Sequence, residues 1–464
     1  MRLVGLAVAF CVSLLVVFVQ VFGAEPREPV ADEYVYLTIA NDLNQSGIFT
    51  DAWYGGVDSS QINTAGRFFA PAYPLFLAAM AKLDPLVGQF IRCHAEGRIA
   101  GSKTCPTSPV SLLIAQSLMA AVMMTCVFFI AFTLSGSHLI AGVALLLALA
   151  TEEAAYYAGM YLTENLAFLG FYLFLAAGVA AIERRDVSAF ALAGAAIALA
   201  TLARPSYQYL LWVVTSMLVL LTVLRVSSIQ LGWRHVIAFM VAALLVLAPW
   251  TVRNWLIFGD PALSSGYGGF ILVQRVAYNA MTWPEWVVAF VYWLPDFGDD
   301  LSQTLFNPKH YERLGFNHEA SFYNVGNSIL MSETLRLSGG RDAHLDYLLR
   351  HYVIGDLAKH VLVTIPLTLR GIWVGQYLSL AGILLLVPVM CAMARQKHLV
   401  SFAFLALALL FMAGLHGFVS VNVPRYNSPL ITLYALIVAY SLVAIVCRFG
   451  LLPGKQRLAS VSEI

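Results

Sequence analysis

Charge is what this sequence lacks. Only 11% of its 464 residues are Asp, Glu, Lys or Arg, where a soluble domain carries roughly a quarter. Hydrophobic residues make up 60%, and the mean hydropathy is +0.77. No water-soluble core needs that much apolar sequence. A net charge of +1 offers no basic stripe and argues against a nucleic-acid partner. Also missing are an internal repeat of fixed period and any long stretch of disorder-prone composition. Cysteine is scarce: of the six, Cys11, Cys126, Cys391 and Cys447 fall inside apolar runs and read as small core or lipid-facing residues. Cys93 and Cys105 sit instead in the polar stretch IRCHAEGRIAGSKTCPTS. In an oxidising compartment a disulfide would close that stretch, while the spacing fits no usual zinc pattern.

What is present is a series of apolar runs. A membrane crossing needs about 20 such residues. Runs of this kind cover 3–23, 109–134, 138–158, 163–182, 187–203, 207–224, 236–250, 371–393, 399–419 and 428–447. The expected fold is an all-α polytopic membrane protein with about ten transmembrane helices. Arg2 before the first run and Gly23-Ala24 after it suit a cleaved signal, but the run is long enough to favour a retained anchor. With the N-terminus cytoplasmic, the loops after even-numbered spans carry Glu183-Arg184-Arg185, Arg225 to Arg234-His235, Arg395-Gln396-Lys397, and finally Arg448, Lys455 and Arg457. Only Ser135-Gly136-Ser137-His138 lacks a firm positive charge. That pattern follows the positive-inside bias and implies a multi-pass protein of the inner (cell) membrane. Segments 24–108 and 251–370 then face outward, with amphipathic helices at the membrane surface and Val361–Arg370 interfacial. The chain divides accordingly into a membrane module at 1–250, an outer segment at 251–370 and C-terminal helices at 371–464.

Ionisable residues at the membrane boundary are costly and so are functional candidates. Asp32-Glu33 open the stretch DEYVYLTIANDL, whose Tyr34, Leu37, Ile39 and Leu43 suit a helix lying on the bilayer. Helix capping by Asp32 fits the same residues. Glu164 opens the fourth span, with Glu152-Glu153 before the same outer turn; a first-turn acid settled by the helix dipole is the alternative. Arg204 in LARPSYQ, Arg253 in APWTVRNWLIFG and Arg425 in NVPRYNSP stand at outer ends of spans, against the positive-inside bias. Guanidinium groups suit phosphate through bidentate hydrogen bonds; pairing with Asp32, Glu164 or lipid phosphate is the other reading. Arg67, before FFAPAYPLFLAAMAKL, and Tyr426, beside Arg425, are near-site candidates as acceptor-contacting or structural residues. His94, His310, His318, His344, His351 and His360 show no paired-ligand spacing, so no metal ligand is assigned. A divalent metal is left open as a cofactor.

ADEYVYLTIA, APAYPLF, LTENLAFLGFYLF, LARP, APWTVRNWLIFG and VPRYNSP, taken together and in this order, resemble the GT-C-type membrane glycosyltransferases. The resemblance is to the branch that holds protein O-mannosyltransferases and the lipid A aminoarabinose transferase, and it covers most of the spans. It implies transfer of a sugar from a polyprenyl-phosphate donor to a lipid, polysaccharide or protein acceptor on the outer side of the membrane. In such proteins the acid after the first span is catalytic, which falls on Asp32 with Glu33 beside it. A second acid near the start of the fourth span falls on Glu164, where relatives carry Asp. The Asp32 carboxylate would take the proton of the acceptor hydroxyl, and Arg204, Arg253 and Arg425, with Arg253 and Arg425 preferred, would meet the leaving phosphate. Asp32 as base implies inversion at the sugar carbon. A transporter or flippase of a lipid-linked or anionic substrate is the rival, although such proteins gather charge at the midplane and show internal repeats.

Overall fold

The computed structural model describes residues 2–51, 64–100, 105–225 and 231–449. Lys455 and Arg457, expected to charge the cytoplasmic end, lie outside them. The described residues are helical, with turns and short loops between helices and no strand. Six helices are long and apolar enough to cross a membrane, and two pairs bent by 94° and 52° bring the number to eight if each is one span. Four shorter apolar helices accompany them. The chain is thus an all-α polytopic membrane protein.

Several expected runs are interrupted for local reasons. The run at 138–158 splits at Ala150–Glu152, where Thr151 turns its hydroxyl back to the Ala148 carbonyl and Glu152 takes φ 59°. The run at 371–393 contains the bent pair Tyr377–Leu384 and Leu386–Arg395. Val361–Arg370 belongs to the helix Leu357–Ile372, set at 94° to Ala343–Ile354. Asp356 causes that break by capping the new helix through the Lys359 N–H. The run at 236–250 extends to Phe258, so Arg253 lies inside a helix rather than at its end.

Two compact units emerge. The first comprises Met1–Ser264, Leu385–Leu405 and Ala435–Ile464, and the second Ser265–Leu384 and Ala406–Tyr434. The polar content of the sequence had suggested divisions at 250/251 and 370/371 instead.

In the first unit, α1 (Arg2–Gly23) packs on α5 (Val110–Ser135), and α5 on α8 (Glu164–Arg184). Helix α8 packs along α9 (Val187–Ala203), which lies on α11 (Trp233–Phe258). Helix α9, VSAFALAGAAIALATLA, has Ala, Gly, Ser or Thr at 11 of its 17 positions, which lets backbones approach closely in a membrane. A Cβ on Gly170 would come within 2.7 Å of Ala200 N, and one on Gly194 within 2.1 Å of the Phe239 carbonyl oxygen. Of the apolar window of α8, 83% is buried, against 22% for α1; α8 is the centre of the unit and α1 its flank. Between α1 and α5 come α2 (Asp32–Ser46), α3 (Ala72–Leu83) and α4 (Pro85–Ala100), which pack on one another. A disulfide joins Cys93 of α4 to Cys105. Helix α2 is covered on more than one face, burying Val35, Tyr36, Leu37, Ile39 and Ala40. It is therefore not the one-sided surface helix its pattern suggested: α3 and α4 cover it.

The second unit contains α12 (Tyr267–Val276), α13 (Trp283–Tyr292) and α14 (Leu357–Ile372). Its core includes Tyr278, Val288, Trp293, Phe322, Val363 and Leu367. The motif NVPRYNSP supports this unit through its asparagines. Asn422, at φ 48°, donates to the Leu367 and Ala413 carbonyls at 2.8 and 3.0 Å. Asn427 donates to the Gly371 carbonyl at 3.0 Å and to Asn422 Oδ1 at 2.7 Å. Tyr434 donates to Ile372 O at 3.0 Å. Two of the carbonyls that any helix leaves unbonded at its C-terminus, those of Gly371 and Ile372, are thus satisfied by side chains at α14.

Candidate functional site

Glu33 and Asp32 are neighbours with different roles. Glu33 is 1% exposed, too buried for a charge unless it is paired and hydrogen-bonded. Both its oxygens accept from Arg27, and it also accepts from the backbone N–H groups of Val30 and Tyr161, each at 2.8 Å. Arg27 reaches on to the Gly159 carbonyl at 3.2 Å and lies over the Tyr161 ring; the Glu33 hydrogen bond raises its pKa. Glu33 therefore ties the start of α2 to the segment leading into α8. It also does the capping expected of Asp32, since it is Glu33 that returns to the Val30 N–H while the Glu33 N–H donates to Val30 O at 3.0 Å. Asp32 is instead the first helical residue, half-buried, after Ala31 at φ 45° and ψ −116°. That backbone conformation is strained for alanine.

Tyr36, one turn after Asp32, marks where the candidates converge. Burial pushes its hydroxyl pKa up, Asp32 and Glu164 add to the rise, and Arg204 opposes it. The hydroxyl is also within hydrogen-bonding reach of Thr163. Asp32, Glu164 and Arg204 thus all act electrostatically on one phenol. Glu164 is the first residue of α8, and Arg204 closes α9 at its C-terminus. Arg204 Nη1 stands 3.4 Å from Glu164 Oε1. The close packing of α8 and α9 fixes this pair.

Arg253 and Arg67 form the adjoining cluster. Arg253 donates to the Gly66 and Phe49 carbonyls at 2.7 and 3.3 Å and to Asn254 Oδ1 at 2.8 Å, with its guanidinium 4.6 Å from the Trp250 ring centre. Arg67 pairs with Asp260 at 2.7 Å over the Phe258 ring. Asp51, its pKa raised by burial, accepts from the Phe68 N–H at 2.6 Å. Phe69 packs edge-on against Tyr36 at 5.7 Å. Residues 66–69 therefore link the two clusters by at most about 11 Å of chain. Arg425 and Tyr426 lie in the second unit, where Arg425 is exposed with its guanidinium 5.3 Å from the Tyr426 ring.

Sequence reasoning missed Arg27, Tyr36, Thr163 and the two asparagines of NVPRYNSP. The repeated Asn in that motif was the one available signal. Among the described residues no three His, Cys, Asp or Glu side chains gather as metal ligands. Glu164 stands beside Arg204, and Glu33 beside Arg27.

No family model matches the chain, and no curated protein matches it either. Among solved structures it is similar to the archaeal oligosaccharyltransferase AglB from Archaeoglobus fulgidus, in complex with an inhibitory peptide and a dolichol-phosphate. The identity is 12% and the TM-score 0.48, over 99% of this chain and 53% of the other. The chain thus spans about half the length of the protein it matches.

Proposed function

We propose that this protein is a membrane glycosyltransferase that moves a sugar from a polyprenyl-phosphate donor to an acceptor hydroxyl on the extracytoplasmic face. The observation that carries the reading is the Glu164–Arg204 ion pair at 3.4 Å, with Asp32 acting on the same Tyr36 phenol, at the ends of helices whose motifs resemble the GT-C enzymes. Asp32 takes the proton of the acceptor hydroxyl. The acceptor oxygen attacks the anomeric carbon, the bond to the phosphate oxygen breaks, and the sugar carbon inverts. Charge then grows on the departing polyprenyl phosphate, where a fixed cation is worth most. Arg204 has that part, with Glu164 orienting it. Glu33 is a positioning residue, and Arg253 holds the loop at Gly66. Within the family, the protein O-mannosyltransferase and aminoarabinose transferase branch is the one the motifs resemble.

The test replaces Asp32→Asn in cells that otherwise lack the chain and measures polyprenyl-phosphate sugars and envelope glycans by mass spectrometry. Transfer should fall on the order of 10² to 10⁴-fold, with lipid-linked sugar accumulating and membrane insertion intact. Turnover at the wild-type rate would remove Asp32 from the role of base. A lipid-linked sugar trapped on the cytoplasmic leaflet would favour a flippase.

A further inference from the structure

The second unit buries two arginines in very different ways. Arg275 is fully buried, and its donors all meet neutral oxygens. They reach Gly417 O at 2.7 Å, His360 O at 2.9 Å, Thr364 Oγ1 at 3.0 Å and Asn279 Oδ1 at 3.0 Å. Arg275 is a structural bolt, with its hydrogen bonds spread over four residues of three elements.

Arg370 is 7% exposed and sits on the apolar stripe of α14, one and two turns beyond Leu367 and Val363. Its Nη1 donates to the Tyr278 hydroxyl at 3.3 Å. Its guanidinium carbon lies 4.2 Å from the ring centre of Phe316 and 5.2 Å from that of Trp293. Among the described residues it has no ion pair, and Nε and Nη2 have no protein acceptor. Neither atom is among the fully sealed donors without a partner. A buried cation without an acid is costly, and a site that keeps one has a use for it. Trp373, one turn further along, holds a second donor, a buried indole N–H with no acceptor.

The surroundings set the ligand. Phe316 and Tyr292 are only partly covered, and aromatic faces of this kind stack on the C–H face of a sugar ring. The electrostatic neighbours of Tyr292 include one cation, Arg370, and one exposed anion, Asp299. A single guanidinium beside an acid suits a singly charged carboxylate, through paired charge-assisted hydrogen bonds, better than a phosphate dianion. We propose that Arg370, Phe316, Trp293 and Tyr292 form a binding subsite for a sugar that bears a carboxylate, such as a uronic acid residue. Under the transferase reading above, on which this step rests, that sugar belongs to the acceptor.

Binding is measured directly, so the subsite and the transferase reading fail separately. Full-length protein in nanodiscs is titrated with a glucuronate-terminated disaccharide, its amide and glucose 6-phosphate, and read by tryptophan fluorescence and thermal shift. The acid should bind about ten-fold tighter than the amide, a gain of the size expected for charge-assisted hydrogen bonds. Arg370→Gln should erase that preference. Phe316→Leu, which leaves the buried charge in place, should weaken acid and amide alike and keep their ratio. Equal binding of acid and amide by the wild type, or a preference that survives Arg370→Gln, overturns the proposal. So does tighter binding of glucose 6-phosphate. Absence of binding with polyprenyl-phosphate turnover intact removes the subsite and leaves the transferase reading standing.

Discussion

At the start of α2 one carboxylate, Glu33, gathers an arginine and two backbone N–H groups. At the end of α14 two amides, Asn422 and Asn427, gather backbone carbonyls without any charge. The difference is one of consequence. A charged clasp is costly to break from either side, because the partner is stranded. A neutral clasp leaves the nearby arginine uncommitted. Arg27 is spent on architecture, whereas Arg370, next to the amide clasp, keeps two donor atoms for something else.

Removing the acid should break the first clasp most severely. Glu33→Ala is expected to cost about 3 kcal/mol or more, seen as a large drop in unfolding temperature in detergent, while Asp32→Asn leaves that temperature unchanged. Equal stability losses at the two positions would dissolve the distinction between positioning and catalytic acid. Opening the disulfide comes next: Cys93→Ser with Cys105→Ser should cost about 2–3 kcal/mol. Trypsin cleavage in the α2–α4 region is the measurement, and unchanged cleavage would show that packing alone suffices there.

For the neutral clasp, Asn422→Ala should cost about 1–3 kcal/mol by stranding the Leu367 and Ala413 carbonyls. Asn422→Gly suits the φ of 48° but loses the same bonds. If Gly restores full stability, the left-handed backbone matters and the amide does not. Acidification should have the smallest effect, at an ion pair that the second unit does possess. Burial works against the ionised Glu285 carboxylate. The Arg313 pair at 2.8 and 2.9 Å, with the Thr282 N–H and hydroxyl, nonetheless holds its pKa below the ordinary 4.5. That stability is complete above the ordinary value and is lost as pH falls through it and below. Between pH 7 and pH 4, wild-type unfolding temperature should fall further than that of Arg313→Met, and equal falls would discount the pair.

The membrane class and most helices were legible because apolar length and boundary charge act locally along the chain. Asp32, Glu164 and Arg204 could be singled out for the same reason: each sits at a helix end that the sequence marks. The role of Glu33 was not legible, since one of its donors is the Tyr161 N–H, 128 residues away. The extension of the Arg253 helix to Phe258 was not legible either. Arg370 escaped notice at the end of a stretch that looked interfacial. Only the fold sets it against Tyr278 and Phe316, from segments 92 and 54 positions earlier.

The bridge between Cys93 and Cys105 lies wholly before Val110, where α5 begins. Its closure therefore needs none of the later spans. With the outward orientation proposed for this segment, the bond can form while most of the polypeptide is still being synthesised. Biogenesis would then depend on oxidative folding catalysts outside the membrane. A host short of them would accumulate newly made protein in which the segment after α4 is still untied when Tyr161 arrives to pack against Phe90.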